Sequence, residues 1–253
     1  MVRHSVISKR IAATAAVAAF AVTGFGYALA APPTTPAPAQ PTPSEPAALA
    51  PTAAPSTAAP PTEMPAPRPG AVVHPVTAAE LGETWRPGCP VGPEDLRLVD
   101  LDYLDPDGQI QRGSLVVHRD YADEVVAIFA DLQRLGYPIA KMQTVDNYPG
   151  AEDELSMRDN NTSAFNCRPL PGSTDWSLHA YGRAIDINPL VNPYIDSAGN
   201  LEPKTAGRYL DRALAEPGML NADDPAVRVF TDRGWRWGGA WRNPVDYQHF
   251  EIG

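Results

Sequence analysis

From Ala31 to Gly70 the chain is almost entirely Pro, Ala, Thr and Ser, as in "APPTTPAPAQPTPSEPAALAPTAAP". That stretch holds about half of the 29 prolines in the 253-residue sequence. Such a composition cannot bury enough apolar surface to offset the entropy of ordering it, and its prolines favour extended polyproline II. Whatever folds must lie outside it. Ahead of it, the basic "MVRHSVISKR" leads into the apolar "IAATAAVAAFAVTGFGYALA", which closes on Ala28-Leu29-Ala30. These are the parts of a signal peptide over residues 1–30, with cleavage expected before Ala31. Retention as an anchor is the alternative, since the run approaches the ~20 apolar residues that span a bilayer. Its many alanines make it weakly hydrophobic, which favours cleavage and no stable membrane insertion afterwards. No Cys stands near the cleavage point to carry a lipid, and "SKR" offers too few arginines for twin-arginine export. Residues 31–70 then read as a disordered linker, either a tether through a cell envelope or a tail without a role. The expected location is secreted or in the cell envelope.

Residues 71–253, about 180 in number, fit a single domain with one core. The whole chain has 20 Lys and Arg against 30 Asp and Glu, and residues 1–70 carry four and two of them, which leaves the domain at net −12. Nucleic acid is disfavoured as a partner, because phosphate contacts need a basic surface. A monomer is expected. "GSLVVHR" has the β-branched character of a strand. "DYADEVVAIFADLQRLGYP" reads as an amphipathic helix capped by Asp120 and ended by Gly136 and Pro138, with Val125, Ile128, Phe129 and Leu132 on one core-facing side. "IAKMQTVDNY", "AFNCRP", "GRAIDINP" and "YQHFEI" are expected strands, and "DDPAVRVFTDRG" a short helix. The mixture predicts an α+β fold in which a small, mainly antiparallel sheet with flanking helices forms the floor of a cleft.

Two clusters carry chemistry. In "SLHAYGRAIDINP", His179 and Asp186 are seven positions apart, and a plain strand would put them on opposite faces. They converge only if the chain bends between them, and Gly182 tolerates such a bend. On spacing alone, a loop His beside an ordinary strand Asp explains the stretch equally well. The second cluster, "NPVDYQHFEIG", places Asp246 three before His249 and Glu251 two after it. Two His and one Asp suit zinc with a fourth position left for water, the arrangement of a catalytic site. That water needs a carboxylate to accept its proton, and either Asp246 or Glu251 can serve.

"SLHAYGRAIDI" resembles the S-x-H-x-x-G-x-A-x-D motif of the VanY-like D-alanyl-D-alanine carboxypeptidases and the peptidoglycan L-alanyl-D-glutamate endopeptidases, a family of zinc peptidases. "DYQH" resembles their second motif, an acidic residue three positions before a His. The resemblance implies that His179, Asp186 and His249 bind Zn2+ and that Asp246 is the general base. It covers the chain from about residue 156 to 253 and implies the same kind of fold. Family members also carry an upstream Arg that holds a substrate carbonyl or carboxylate. The nearest match is Arg168, ending "SAFNCR", with Arg158 in "SMRDNN" as a second candidate; a surface salt bridge is the plainer reading of Arg168.

Glu251 and Ser177 are expected to orient the ligands from behind, although Glu251 is as readily an edge carboxylate in water. Cys89 and Cys167 can pair in an exported protein, which would pin the chain beside Arg168; two separate buried thiols are the alternative. His74 and His118 read as surface or structural histidines, and Trp235, Trp237 and Trp241 as core packing, with a cleft wall that packs substrate as the alternative. The expected activity is hydrolysis of a peptide bond in peptidoglycan stem peptides. A wall-binding module that keeps the metal without turnover is the alternative.

Overall fold

A computed structural model describes residues 70–253; the expected signal peptide and linker lie outside the described residues. The order of elements is β1 (Val72–Pro75), α1 (Ala78–Leu81), β2 (Leu96–Leu104), β3 (Ile110–His118), α2 (Ala122–Arg134), β4 (Lys141–Met142), α3 (Asp153–Arg158), β5 (Asn161–Thr162), β6 (Ala184–Asp186), β7 (Tyr194–Ile195), β8 (Leu201–Glu202), α4 (Pro225–Thr231), β9 (Arg236–Trp237), β10 (Val245–Asp246) and β11 (His249–Glu251). This is an α+β fold. In place of one small sheet there are three antiparallel three-stranded sheets, ordered β1-β2-β3, β6-β11-β9 and β10-β7-β8, and a parallel β4-β5 pair. No helix among the described residues is long and apolar enough to cross a membrane.

The β2–β3 hairpin is the longest regular piece. Its turn, "DPDG", is closed by the Asp105 side chain, which accepts from the Asp107 and Gln109 main-chain N–H groups, while Gly108 takes a left-handed φ of 78°. β2 is absent from the sequence expectations, although a turn of this kind between two runs with alternating apolar residues signals a hairpin. α2 lies over the hairpin. Its Val125, Ile128, Phe129 and Leu132 are buried as expected, in one cluster with Val99, Leu101, Leu115 and Val117. Gly136, at φ 69°, ends the helix. Asp120 does not cap it. A turn of 3-10 helix over Arg119–Tyr121 runs straight into α2, and the Asp120 N–H is taken by the His118 ring, so the cap is His118, ahead of the residue the sequence suggests.

Two expected strands dissolve. In "IAKMQTVDNY" only Lys141–Met142 pairs, because Asn161 then takes over both main-chain groups of Gln143 with its amide. "AFNCRP" forms no strand, since Phe165, Asn166 and Cys167 donate to three different elements, at Val116, His179 and Thr84. Cys89 and Cys167 are joined in a disulfide with Cα atoms 5.9 Å apart.

The same apolar cluster continues into the later half through Ile185, Phe230, Trp235, Trp237 and Phe250. In β6 and β11, Ile185 pairs with Phe250 and both are fully buried. Since side chains alternate along a strand, the flanking residues Asp186 and His249, also paired, face the opposite side. The core thereby fixes the floor of the cleft.

Candidate active site

Each functional side chain is positioned by a local reason. His179 sits in a turn of 3-10 helix, Leu178–Tyr181, whose N-terminus is capped by Ser177: its Oγ accepts from the His179 N–H at 3.3 Å. Ser177 thus shapes the turn rather than touching a ring. Gly182 follows in the left-handed region at φ 67°, where a Cβ would come within 2.5 Å of the His118 nitrogen. This is the bend that returns the chain into β6. Asp186 then lies opposite His249 in the β6–β11 pairing.

The three side chains converge. His179 Nε2 is 3.1 Å from Asp186 Oδ2 and 3.2 Å from His249 Nδ1, and His249 Nδ1 is 3.0 Å from Asp186 Oδ1. All three residues are buried and their ligand atoms lie within 4.8 Å of one another, so they could hold a metal ion. The neighbours fix which nitrogens point inward. His179 Nδ1 lies 2.5 Å from the Ala164 carbonyl, which can only accept, so its Nε2 carries the lone pair. His249 Nε2 is 3.2 Å from Glu251 Oε2, and Glu251 is in turn paired with Arg236 at 2.6 Å. With a proton on Nε2, His249 also aims a lone pair inward. Two lone pairs and a carboxylate aimed at one point repel one another unless a cation stands between them, and this donor set fits zinc.

Titration tells the same story for the metal-free site. Burial would depress the His249 imidazolium, but the hydrogen bonds to Asp186 and Glu251 outweigh it and lift its pKa to about 10. Burial likewise opposes ionisation of Asp186, and the two imidazoles overcome it, holding the carboxyl well below the usual range.

Asp246 lines the same cleft, which has a volume of about 520 Å³. It is the second residue of β10, and Gly238 lies so close that a Cβ there would meet the Asp246 carbonyl at 2.7 Å. Its Oδ1 is buried without a hydrogen-bond partner among the described residues. Burial pushes its pKa up to about 7, with the Asp186 charge adding to the rise and His249 and Arg168 opposing it. Arg168 also lines the cleft; one of its terminal nitrogens is 2.5 Å from Asp153, and its Nε is unpartnered. Arg158, on α3, is exposed and outside the cleft lining. Of the tryptophans, Trp235 and Trp237 are in the core, whereas Trp241 stands on the cleft wall with its ring 5.5 Å from that of His249. His118 is a buried turn cap and His74 a surface partner of Asp100.

Sequence reasoning missed Tyr194, Glu202 and Gln248, all of which line the cleft. Tyr194 and Glu202 lie on two-residue strands with no periodicity to read, and Gln248 sits unremarked inside "DYQH". No curated protein and no solved structure matches the chain. Residues 171–252, which hold the three converging side chains and Asp246, match the family model of D-alanyl-D-alanine carboxypeptidase, the VanY-like family that the two motifs resemble.

Proposed function

We propose that this chain is a zinc peptidase of the cell envelope that hydrolyses a peptide bond in peptidoglycan stem peptides. The observation that carries the reading is the convergence of His179, Asp186 and His249 inside a segment that matches a carboxypeptidase family. In this proposal residues 1–30 direct export, residues 31–70 act as a tether, and residues 71–253 form the peptidase domain.

A zinc ion held by His179, Asp186 and His249 would act as a Lewis acid toward the scissile carbonyl and acidify a water at the open fourth position. Asp246 accepts the proton of the attacking water at its unpaired Oδ1 and returns it to the departing amide nitrogen as the C–N bond breaks. An acceptor whose pKa is lifted by burial is matched to that exchange near neutral pH. Glu251 keeps the proton of His249 on Nε2, so the other nitrogen stays available. Arg168 uses donors left free by Asp153 to steady the developing oxyanion or a nearby substrate carboxylate. A pure binding module has no use for an unpaired, partly buried carboxylate beside the ligand set, and Asp246 therefore favours turnover.

The test is digestion of purified muropeptides with mass spectrometry of the products. Loss of a terminal alanine identifies carboxypeptidase action, and separation of L-alanine from D-glutamate identifies the endopeptidase. Muropeptides that bind yet stay intact overturn the peptidase reading.

A further inference from the structure

One wall of the cleft, with Arg168, Leu170 and Trp176 among its lining residues, is a short hairpin over residues 168–177 that runs directly into the His179 turn. Pro169 bridges to Trp176 in antiparallel fashion, the Ser177 N–H donates to the Arg168 carbonyl at 3.2 Å, and the Leu170 N–H to that of Asp175 at 2.8 Å. The tip carries Pro171 and then Gly172 at φ 71°, and the Ser173 N–H returns to the Leu170 carbonyl, the pattern of a type II turn. A lone two-stranded hairpin is marginal in water. Its place in the fold must come from its two roots.

One root is Ser177, which caps the turn that holds His179. The other is Cys167, and a single loop far earlier in the chain grips it at three atoms. The Cys167 N–H donates to the Thr84 carbonyl at 3.0 Å, its carbonyl accepts from Arg86 Nη1 at 2.7 Å, and its sulfur is bonded to that of Cys89. The loop is also closed on itself, since the Cys89 N–H donates to the Arg86 carbonyl at 3.1 Å and the Arg86 N–H to the Cys89 sulfur at 3.3 Å. Beneath the grip, Trp85 and Val91 of the loop and Trp176 of the hairpin pack against one buried cluster around Leu96, Phe165 and Cys167. Arg168 is the residue after the gripped one. A terminal nitrogen of its side chain pairs with Asp153, whereas its main-chain N–H reaches only the Asn166 carbonyl, two residues back. Where its backbone stands is therefore set by Cys167. Residues 84–91 do not line the cleft, and they precede the matched segment 171–252.

We propose that Arg86 and Cys89 are positioning residues for hydrolysis: through Cys167 they set where Arg168 and its hairpin stand in the cleft wall. The half of the chain that carries the candidate metal ligands thus depends on a loop ahead of β2 for its substrate-facing wall. This rests on the peptidase reading for the activity served, but the grip itself is conformational.

The test uses the full chain, zinc-loaded, as wild type, as Arg86→Ala, and as Cys89→Ser combined with Cys167→Ser so that no lone thiol remains. Hydrogen exchange read by mass spectrometry reports on the hairpin directly. Peptides covering residues 168–177 should exchange roughly tenfold faster without the disulfide, while those covering α2 keep the wild-type rate. Arg86→Ala leaves the disulfide in place and loses one hydrogen bond, so about threefold is expected there, and this variant carries the test if the other does not fold. Hairpin protection that survives in Arg86→Ala overturns the grip. Muropeptide hydrolysis reports the consequence. Small misplacements of a group that steadies the transition state are costly, so kcat/KM should fall by about threefold in Arg86→Ala and roughly tenfold without the disulfide, at unchanged zinc content. Arg86→Lys keeps a donor for the Cys167 carbonyl and should recover most of the loss; a lysine no better than alanine overturns the hydrogen bond as the means. The decisive comparison adds Arg168→Ala. If the grip acts through Arg168, Arg86→Ala lowers kcat/KM no further in that background, and losses that multiply overturn the positioning role. Wild-type protein that leaves every muropeptide intact removes the peptidase reading, and the exchange rates alone then decide whether the loop holds the hairpin.

Discussion

The β2–β3 hairpin with α2 and the segment from Asn161 to Glu251 share one apolar core, yet they hold their backbones in shape by different means. The hairpin pairs nine residues on each strand in unbroken register, and α2 adds 13 residues of helix above it. Main-chain ladders and apolar burial suffice there. In the later segment no strand exceeds three residues, and side chains do the tying. Asn188 Nδ2 donates to the Pro138 carbonyl at 2.8 Å, Asn192 Nδ2 to those of Ile187 and Gly218, and Arg212 to those of Val191 and Leu220. Of the buried polar residues among the described ones, Thr84 and His118 precede Ser156, and twelve lie from Ser156 onward. Each buried polar group costs free energy unless it is hydrogen-bonded, so this half is specified by satisfied networks more than by periodicity. The reason lies in the site. Three side chains that could hold a metal ion, carried by a 3-10 turn and two short strands, cannot meet on a regular surface, and an irregular backbone needs local partners.

If that division is sound, substitutions in the two regions should fail in different ways. The largest effect belongs to the ligands: His179→Ala should abolish zinc retention and reduce hydrolysis to background while leaving the fold intact. Elemental analysis beside circular dichroism checks it, and a variant that keeps full zinc occupancy removes His179 from the set. Next comes Asp246→Ala, which should keep zinc and lose ~10²–10⁴ in turnover, the usual worth of general-base help. An active Asp246→Ala with an inactive Glu251→Ala would mean that the wrong carboxylate carries the proton. Arg168→Ala is expected to lower kcat/KM by at least tenfold, corresponding to the ~1.5–3 kcal/mol of a charged hydrogen bond, without releasing zinc. An unchanged kcat/KM would leave Arg168 as no more than a partner of Asp153. In the other region, Phe129→Ala should cost ~3–5 kcal/mol of stability through the cavity it leaves. Its effect on chemistry should be the smallest of the four, with turnover per folded, zinc-loaded molecule unchanged; a loss of specific activity would show that the two regions are mechanically coupled.

How much of this was legible in the sequence follows the same division. α2 could be read from period alone, because Val125, Ile128, Phe129 and Leu132 recur at helical spacing and Gly136 marks the end. The later half could be read only where it carries a motif. His179, Asp186 and His249 stand out through the two motifs and their resemblance to a zinc peptidase family, where spacing alone leaves a loop His beside a strand Asp an equal reading, and Gly182 marks the bend, since only glycine adopts that backbone at so close an approach. "AFNCRP" and "IAKMQTVDNY" misled because β-compatible composition says nothing about which partner takes each N–H group, and here the partners are side chains and loops. Glu202 left no signal: it enters the cleft only through its register with Tyr194, a pairing between residues that no local pattern connects.

The most direct test of the central claim is a zinc titration of the chelator-stripped full-length protein, with muropeptide hydrolysis followed at each addition. Activity should be absent without metal, rise linearly and break at about one zinc per chain, in keeping with a single three-ligand site. Hydrolysis that persists in chelator, or a fully loaded protein that leaves every muropeptide intact, would contradict it.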